Sequence, residues 1–156
     1  MLTTATITDE IYYIGVNDRE TYLFENLWPL DRGVSYNAYL INDAKTAVFD
    51  TVKNTKTHVF VEKIVSILSD RPLDYLIINH MEPDHSGAIK ALQDKYPDLK
   101  LVGNAKTFEL LDDFYGPLKN YHIIKDGDQL SLGKHTLNFY LTPMVHWPET
   151  MMTFET

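Results

Sequence analysis

The stretch Leu73-Asp74-Tyr75-Leu76-Ile77-Ile78-Asn79, followed directly by His80-Met81-Glu82-Pro83-Asp84-His85-Ser86-Gly87, decides how the rest of the chain reads. Its first half is a short, nearly uninterrupted apolar run after Arg71-Pro72, the pattern of a central strand covered on both faces. Its second half sets four side chains able to ligate a metal, His80, Glu82, Asp84 and His85, within six positions at the carboxyl end of that strand. In an extended or looping backbone alternate side chains share a face, so His80, Glu82 and Asp84 can converge on one side while His85 points elsewhere. The spacing also allows two neighbouring ions, His80 with Glu82 on one and Asp84 with His85 on the other. Pro83 lacks an N–H and has a fixed φ, so it is expected to stiffen a loop here and not to extend a strand or helix. A blander reading makes the segment a solvated acidic loop with Asp84 or Ser86 capping the following helix. Ligand density at a strand terminus favours the metal.

Working outward, Ile11 to Val16, Val34 to Ile41 and Thr46 to Phe49 are rich in β-branched and aromatic residues and read as antiparallel strands. From Thr57 the period changes, with Val61, Ile64, Val65 and Leu68 predicting a helix that buries one face. Ile89, Leu92 and Tyr96 predict a second helix stopped by Pro97, and Leu101-Val102-Gly103 a short strand ahead of a cap at Asn104. Phe108, Leu111 and Tyr115 carry a third helix to Gly116-Pro117. Tyr121 to Ile124, then two strands flanking Gly133 after the turn at Asp126-Gly127, return the chain to β structure. The order is mixed α/β, with helices covering a sheet from outside and chemistry placed on loops at strand ends.

A second strand end, Thr142-Pro143-Met144-Val145-His146-Trp147-Pro148, holds a single histidine among apolar residues. Such a histidine by itself more often only hydrogen-bonds to backbone, but beside an incomplete cluster upstream it becomes a fifth candidate ligand. His58, His122 and His135 read as surface residues. No nucleophile elbow, phosphate-cradling glycine loop or dinucleotide fingerprint competes with the clustered His and carboxylates.

The 156 residues have ordinary globular composition, 44% hydrophobic and 23% charged, and fit one domain with a compact core. A net charge of −8 without a basic run argues against nucleic acid. No apolar run approaches the roughly 20 residues that span a bilayer, and the start has no leader pattern, so the chain is expected to be cytoplasmic. The absence of cysteine excludes disulfides, thiolate zinc sites and iron–sulfur clusters within the chain. Any metal is therefore held by His, Asp and Glu, a set suited to iron, manganese or zinc.

His80-x-Glu82-x-Asp84-His85, with Thr142-Pro143-Met144-x-His146-Trp147-Pro148 later on, resembles the flavodiiron family, also called A-type flavoproteins. Trp28-Pro29-Leu30, Gly33-Val34-Ser35-Tyr36-Asn37-Ala38-Tyr39-Leu40-Ile41 and Phe49-Asp50-Thr51-Val52 are similar to it as well, so the likeness runs over almost the whole chain. The resemblance implies a metallo-β-lactamase-like αββα sandwich, of which residues 1–156 are a partial di-iron domain, the first half and little more. It implies two irons per intact site, His80, Glu82 and His146 on one and Asp84 on the other, with His85 either a ligand or held off by water. A bridging Asp and a last His are expected beyond Thr156, as is a flavodoxin domain carrying FMN, which this chain lacks. The implied activity is reduction of dioxygen to water or of nitric oxide to nitrous oxide, with electrons from a donor such as rubredoxin or a flavin reductase, in a homodimer. Metallo-β-lactamase relatives that hydrolyse through zinc carry His where this chain has Glu82, so a zinc-dependent hydrolase is the second reading. A non-catalytic remnant or assembly half is the third.

Overall fold

The computed structural model describes residues 4–24 and 26–156. Met1 to Thr3, part of the start read as carrying no leader, lie outside the described residues. In chain order the elements are β1 (Ala5–Thr6), β2 (Ile11–Tyr13), β3 (Val16–Asp18), β4 (Leu23–Phe24), β5 (Trp28–Pro29), β6 (Val34–Tyr36), β7 (Tyr39–Asn42), β8 (Thr46–Phe49), α1 (Thr57–Leu68), β9 (Tyr75–Ile77), α2 (Pro83–Ser86), α3 (Ile89–Lys95), β10 (Lys100–Gly103), α4 (Ala105–Tyr115), β11 (Tyr121–Ile123), β12 (Gln129–Ser131), β13 (Thr136–Leu141) and β14 (Met151–Glu155). Seven strands form one sheet in the order β1-β2-β7-β8-β9-β10-β11, antiparallel up to β8 and parallel from there on. The strands β12-β13-β14 form a second, antiparallel sheet.

Alternation along the central strands separates two cores. Leu40, Val48, Leu76 and Leu101 face one way, into a cluster with Phe60 and Ile64 of α1, Leu92 of α3 and Leu111 of α4. Their chain neighbours Ile41, Ala47, Ile77 and Val102 face the other way, against Leu137, Phe139 and Met151 of the second sheet. The period-2 geometry of a strand produces this sorting, and it explains why these strands read as continuous apolar runs. The layers are thus helices, large sheet, small sheet.

Two expected strands are divided. Ile11 to Val16 breaks at Ile14-Gly15, whose two N–H groups both donate to Ala38 O, and the chain then leaves the large sheet so that β3 pairs with β6. A side chain at Gly15 would place its Cβ 2.3 Å from Tyr36 O, so this close crossing needs glycine. The α1 stripe is rotated from the expected one: Phe60, Lys63, Ile64 and Leu68 are buried, while Val61 and Val65 lie at the margin. The cap at Asn104 forms as the sequence indicates, its side chain accepting from Thr107 N at 3.1 Å. Among the described residues no helix is long and apolar enough to cross a membrane.

Candidate metal centre

His80 follows β9, whose parallel neighbours β8 and β10 leave their carboxyl ends beside it. That end is closed by Asp50, just past β8, whose carboxylate accepts from Asn79 N at 2.8 Å, Asn79 Nδ2 at 3.1 Å and His80 N at 3.3 Å. Asp50 adopts a φ of 54°, a left-handed conformation that turns the chain away from the sheet and is costly outside glycine. Burial pushes its carboxyl above the ordinary range, although the Asn79 hydrogen bonds pull it down.

After Glu82 the backbone becomes helical, which corrects two expectations. Pro83 opens α2 at its first position, where a missing N–H costs nothing and the fixed φ suits a helix. Helical pitch therefore replaces strand alternation at Asp84 and His85, and Asp84 does not converge with His80 and Glu82 in the tightest group. The α2 turn is held by Thr51, whose N and Oγ1 both donate to His85 O at 2.8 Å. Gly87 lets it approach the 52–54 backbone, where a Cβ would lie 2.5 Å from Asn54 N.

His146 comes from the loop joining β13 and β14, and its φ of 109° and the 63° of Met144 mark strained backbone. Its Nε2 lies 2.9 Å from Glu82 Oε2, and His80 Nε2 lies 3.0 Å from the same oxygen. Candidate ligand atoms of His80, Glu82 and His146 all fall within 4.8 Å of one another. Asp84 and His85 form an adjoining pair, Oδ2 to Nε2 3.5 Å, with the His85 ring 5.8 Å from that of His80. Asp84 Oδ1 is buried and has no hydrogen-bond partner among the described residues. Burial lifts the Asp84 carboxyl above its usual range, opposed by charge on His85 and assisted by that on Glu82. Burial acts on Glu82 in the same sense, but hydrogen bonds from His146 and His80 prevail and hold it below its usual range.

The donor set fits a borderline or hard cation. One carboxylate and two imidazoles share a face, and each imidazole nitrogen stands from the Glu82 oxygen at about the 3 Å that ligands bonded at about 2.1 Å to one ion would show. The orphaned Asp84 oxygen is the kind of buried acceptor that a cation satisfies. Trp147 stands edge-on to His80 at 5.2 Å. Two cavities flank the cluster, one of 780 Å³ reaching Glu82, Asp84 and Trp147, the other of 600 Å³ reaching Asp50, His80 and His85.

Sequence reasoning passed over Glu149, which is fully buried and touches His80. Its one sequence signal is a carboxylate three residues after a candidate ligand histidine. His135, read as a surface residue, is instead wedged between Glu10 and Glu155 with its side chain 15% exposed.

A family model described as ODP family beta lactamase matches residues 34–156. The nitric oxide reductase of Moorella thermoacetica is 40% identical over 150 residues, covering 95% of this chain and 38% of that protein. The solved structure of a variant flavo di-iron protein from Thermotoga maritima superposes with a TM-score of 0.91 at 31% identity, over 99% of this chain and 40% of that one. Rubredoxin oxygen:oxidoreductase from Desulfovibrio gigas gives 0.92 at 33% identity, over 97% of this chain and 38% of that one. The chain belongs to the ODP beta-lactamase family, the metallo-β-lactamase-like part of flavodiiron proteins. It spans about two fifths of the length of each of these relatives.

Proposed function

We propose that residues 1–156 form the amino-terminal part of the di-iron domain of a flavodiiron oxidoreductase that reduces dioxygen to water, nitric oxide to nitrous oxide, or both. The observation that carries this is the convergence of His80, Glu82 and His146 on one point, with a glutamate as the shared acceptor. In this reading those three hold one iron, and Asp84, its buried oxygen unpartnered, faces the second with His85 beside it. Bound iron supplies the redox chemistry. Glu82 supplies an anionic oxygen that suits higher iron oxidation states better than a neutral imidazole would. Trp147 packs edge-on against His80 and lines the cavity that reaches Glu82 and Asp84. FMN on a separate flavodoxin domain, a donor such as rubredoxin, as in the name of the Desulfovibrio gigas relative, a homodimer and a cytoplasmic setting complete the proposal.

Anaerobic loading with iron(II) followed by metal analysis tests it for this chain. About one weakly held iron per chain is expected, lost in His80→Ala and His146→Ala, because the resemblance puts further ligands outside these residues. Two tightly held irons per chain would overturn that expectation. The competing reading is a zinc hydrolase in which bound zinc activates water. Thioester or lactam hydrolysis by the zinc-loaded chain would favour it; none is expected while Glu82 occupies the second motif position.

A further inference from the structure

We infer that Glu149 is a positioning residue for the metal site, fixing the His80 ring with its Nε2 lone pair turned to the metal and anchoring the loop that carries His146. The inference rests on the proposed metal reading of His80, Glu82 and His146.

Glu149 Oε1 accepts twice, from His80 Nδ1 at 2.8 Å and from Met81 N at 2.9 Å. With Nδ1–H committed to a carboxylate, Nε2 is the ring atom left to meet a cation, and it is the atom 3.0 Å from Glu82 Oε2. The opposite tautomer would aim a proton at the cation. A carboxylate behind a ligand imidazole also raises its basicity and locks its rotation.

The burial of this group is costly, and packing alone does not account for it. Glu149 is 0% exposed, and its Oε2 has no hydrogen-bond partner among the described residues. A clamp whose only task was to tie a loop to Met81 N could use an amide acceptor and avoid burying an acidic side chain. A carboxyl group behind His80 has a use when positive charge arrives on the other side of the ring.

The same residue fixes the second histidine through the backbone. Asn104 Nδ2 donates to Glu149 O at 2.6 Å while Asn104 Oδ1 caps α4, so the loop is pinned to the end of β10 three residues after His146. That hold opposes the strain at Met144 and His146.

The test compares wild type with Glu149→Gln, which keeps the shape and an acceptor oxygen, and with Glu149→Ala. Proton and nitrogen-15 NMR of the histidine rings without metal is expected to show the His80 Nδ1–H proton far downfield and slow to exchange in wild type, and moved upfield and faster to exchange in Glu149→Gln. Anaerobic cobalt(II) titration, read by its visible ligand-field bands, is expected to show affinity lowered about 10–100-fold in Glu149→Gln at an unchanged melting temperature. An equal His80 Nδ1–H signal and equal cobalt affinity in wild type and Glu149→Gln would overturn the inference even if Glu149→Ala fails to fold. Wild type that takes up no cobalt would overturn the metal reading itself, while the Nδ1–H signal still reports whether Glu149 holds His80.

Discussion

His135 lies between Glu155, whose Oε1 is 2.6 Å from its Nδ1, and Glu10, whose Oε2 is 3.0 Å from its Nε2. Glu155 belongs to β14 and Glu10 sits just ahead of β2, so the ring bridges the two sheets. Asp43 accepts from the His135 and Lys134 backbone N–H groups, and Lys134 Nζ reaches Glu10, which completes the charges around it. The hydrogen bond to Glu155 raises the His135 pKa above 6.5 against the lowering effect of burial, with Glu10 adding to the rise. A folded pKa above the unfolded one gives stability that is full below the unfolded value and is lost as pH climbs through the folded value. His135→Gln should therefore flatten the fall in melting temperature above pH 6.5, as thermal unfolding across a pH series would record. An unchanged slope would place the pH dependence elsewhere.

At the scale of elements, the β13–β14 loop and α4 depend on each other through Asn104. Asn104→Ala removes a helix cap, about 1 kcal/mol, and a hydrogen bond to Glu149 O of about the same size. Denaturant unfolding is expected to show a loss of about 1–3 kcal/mol, and cobalt uptake should weaken as the loop carrying His146 loosens. Phe139→Ala, in the core between the sheets, should cost about 3–5 kcal/mol without touching a ligand. Strong helical periods made α1 and α4 legible in the sequence. The strand breaks at Ile14-Gly15 and Asn37-Ala38 were not, because a β-rich run looks the same whether it stays in one sheet or crosses to another.

At the scale of the whole molecule, the described residues cover the small sheet on one face only. Leu137, Phe139 and Met151 pack inward, whereas Tyr140, Met152 and Phe154 are 49%, 56% and 60% exposed on the outer face, with Tyr140 paired to Met152. β14 is also an edge. An exposed apolar face thus lies beside an open strand edge, and such surfaces promote association. Light scattering should show concentration-dependent association of this chain, reduced by Met152→Thr with Phe154→Thr at little change in melting temperature. A strict monomer at every concentration would show that the exposed face is tolerated.

The sequence by itself determined the local terms. Apolar runs and periods gave the strands and helices, the lack of cysteine restricted the donors, and the density of His80, Glu82, Asp84 and His85 marked where a cation could sit. These are readable because they depend on neighbours within a turn or a strand. The tertiary structure decided which of those side chains share a point, since His146 reaches Glu82 from 64 residues away and Glu149 reaches His80 from 69. It also decided that Pro83 begins a helix, which moved Asp84 and His85 out of strand alternation. Spacing along a chain limits what side chains can do locally. Only the stacking of the small sheet on the large one brings the two strand ends together to make a site.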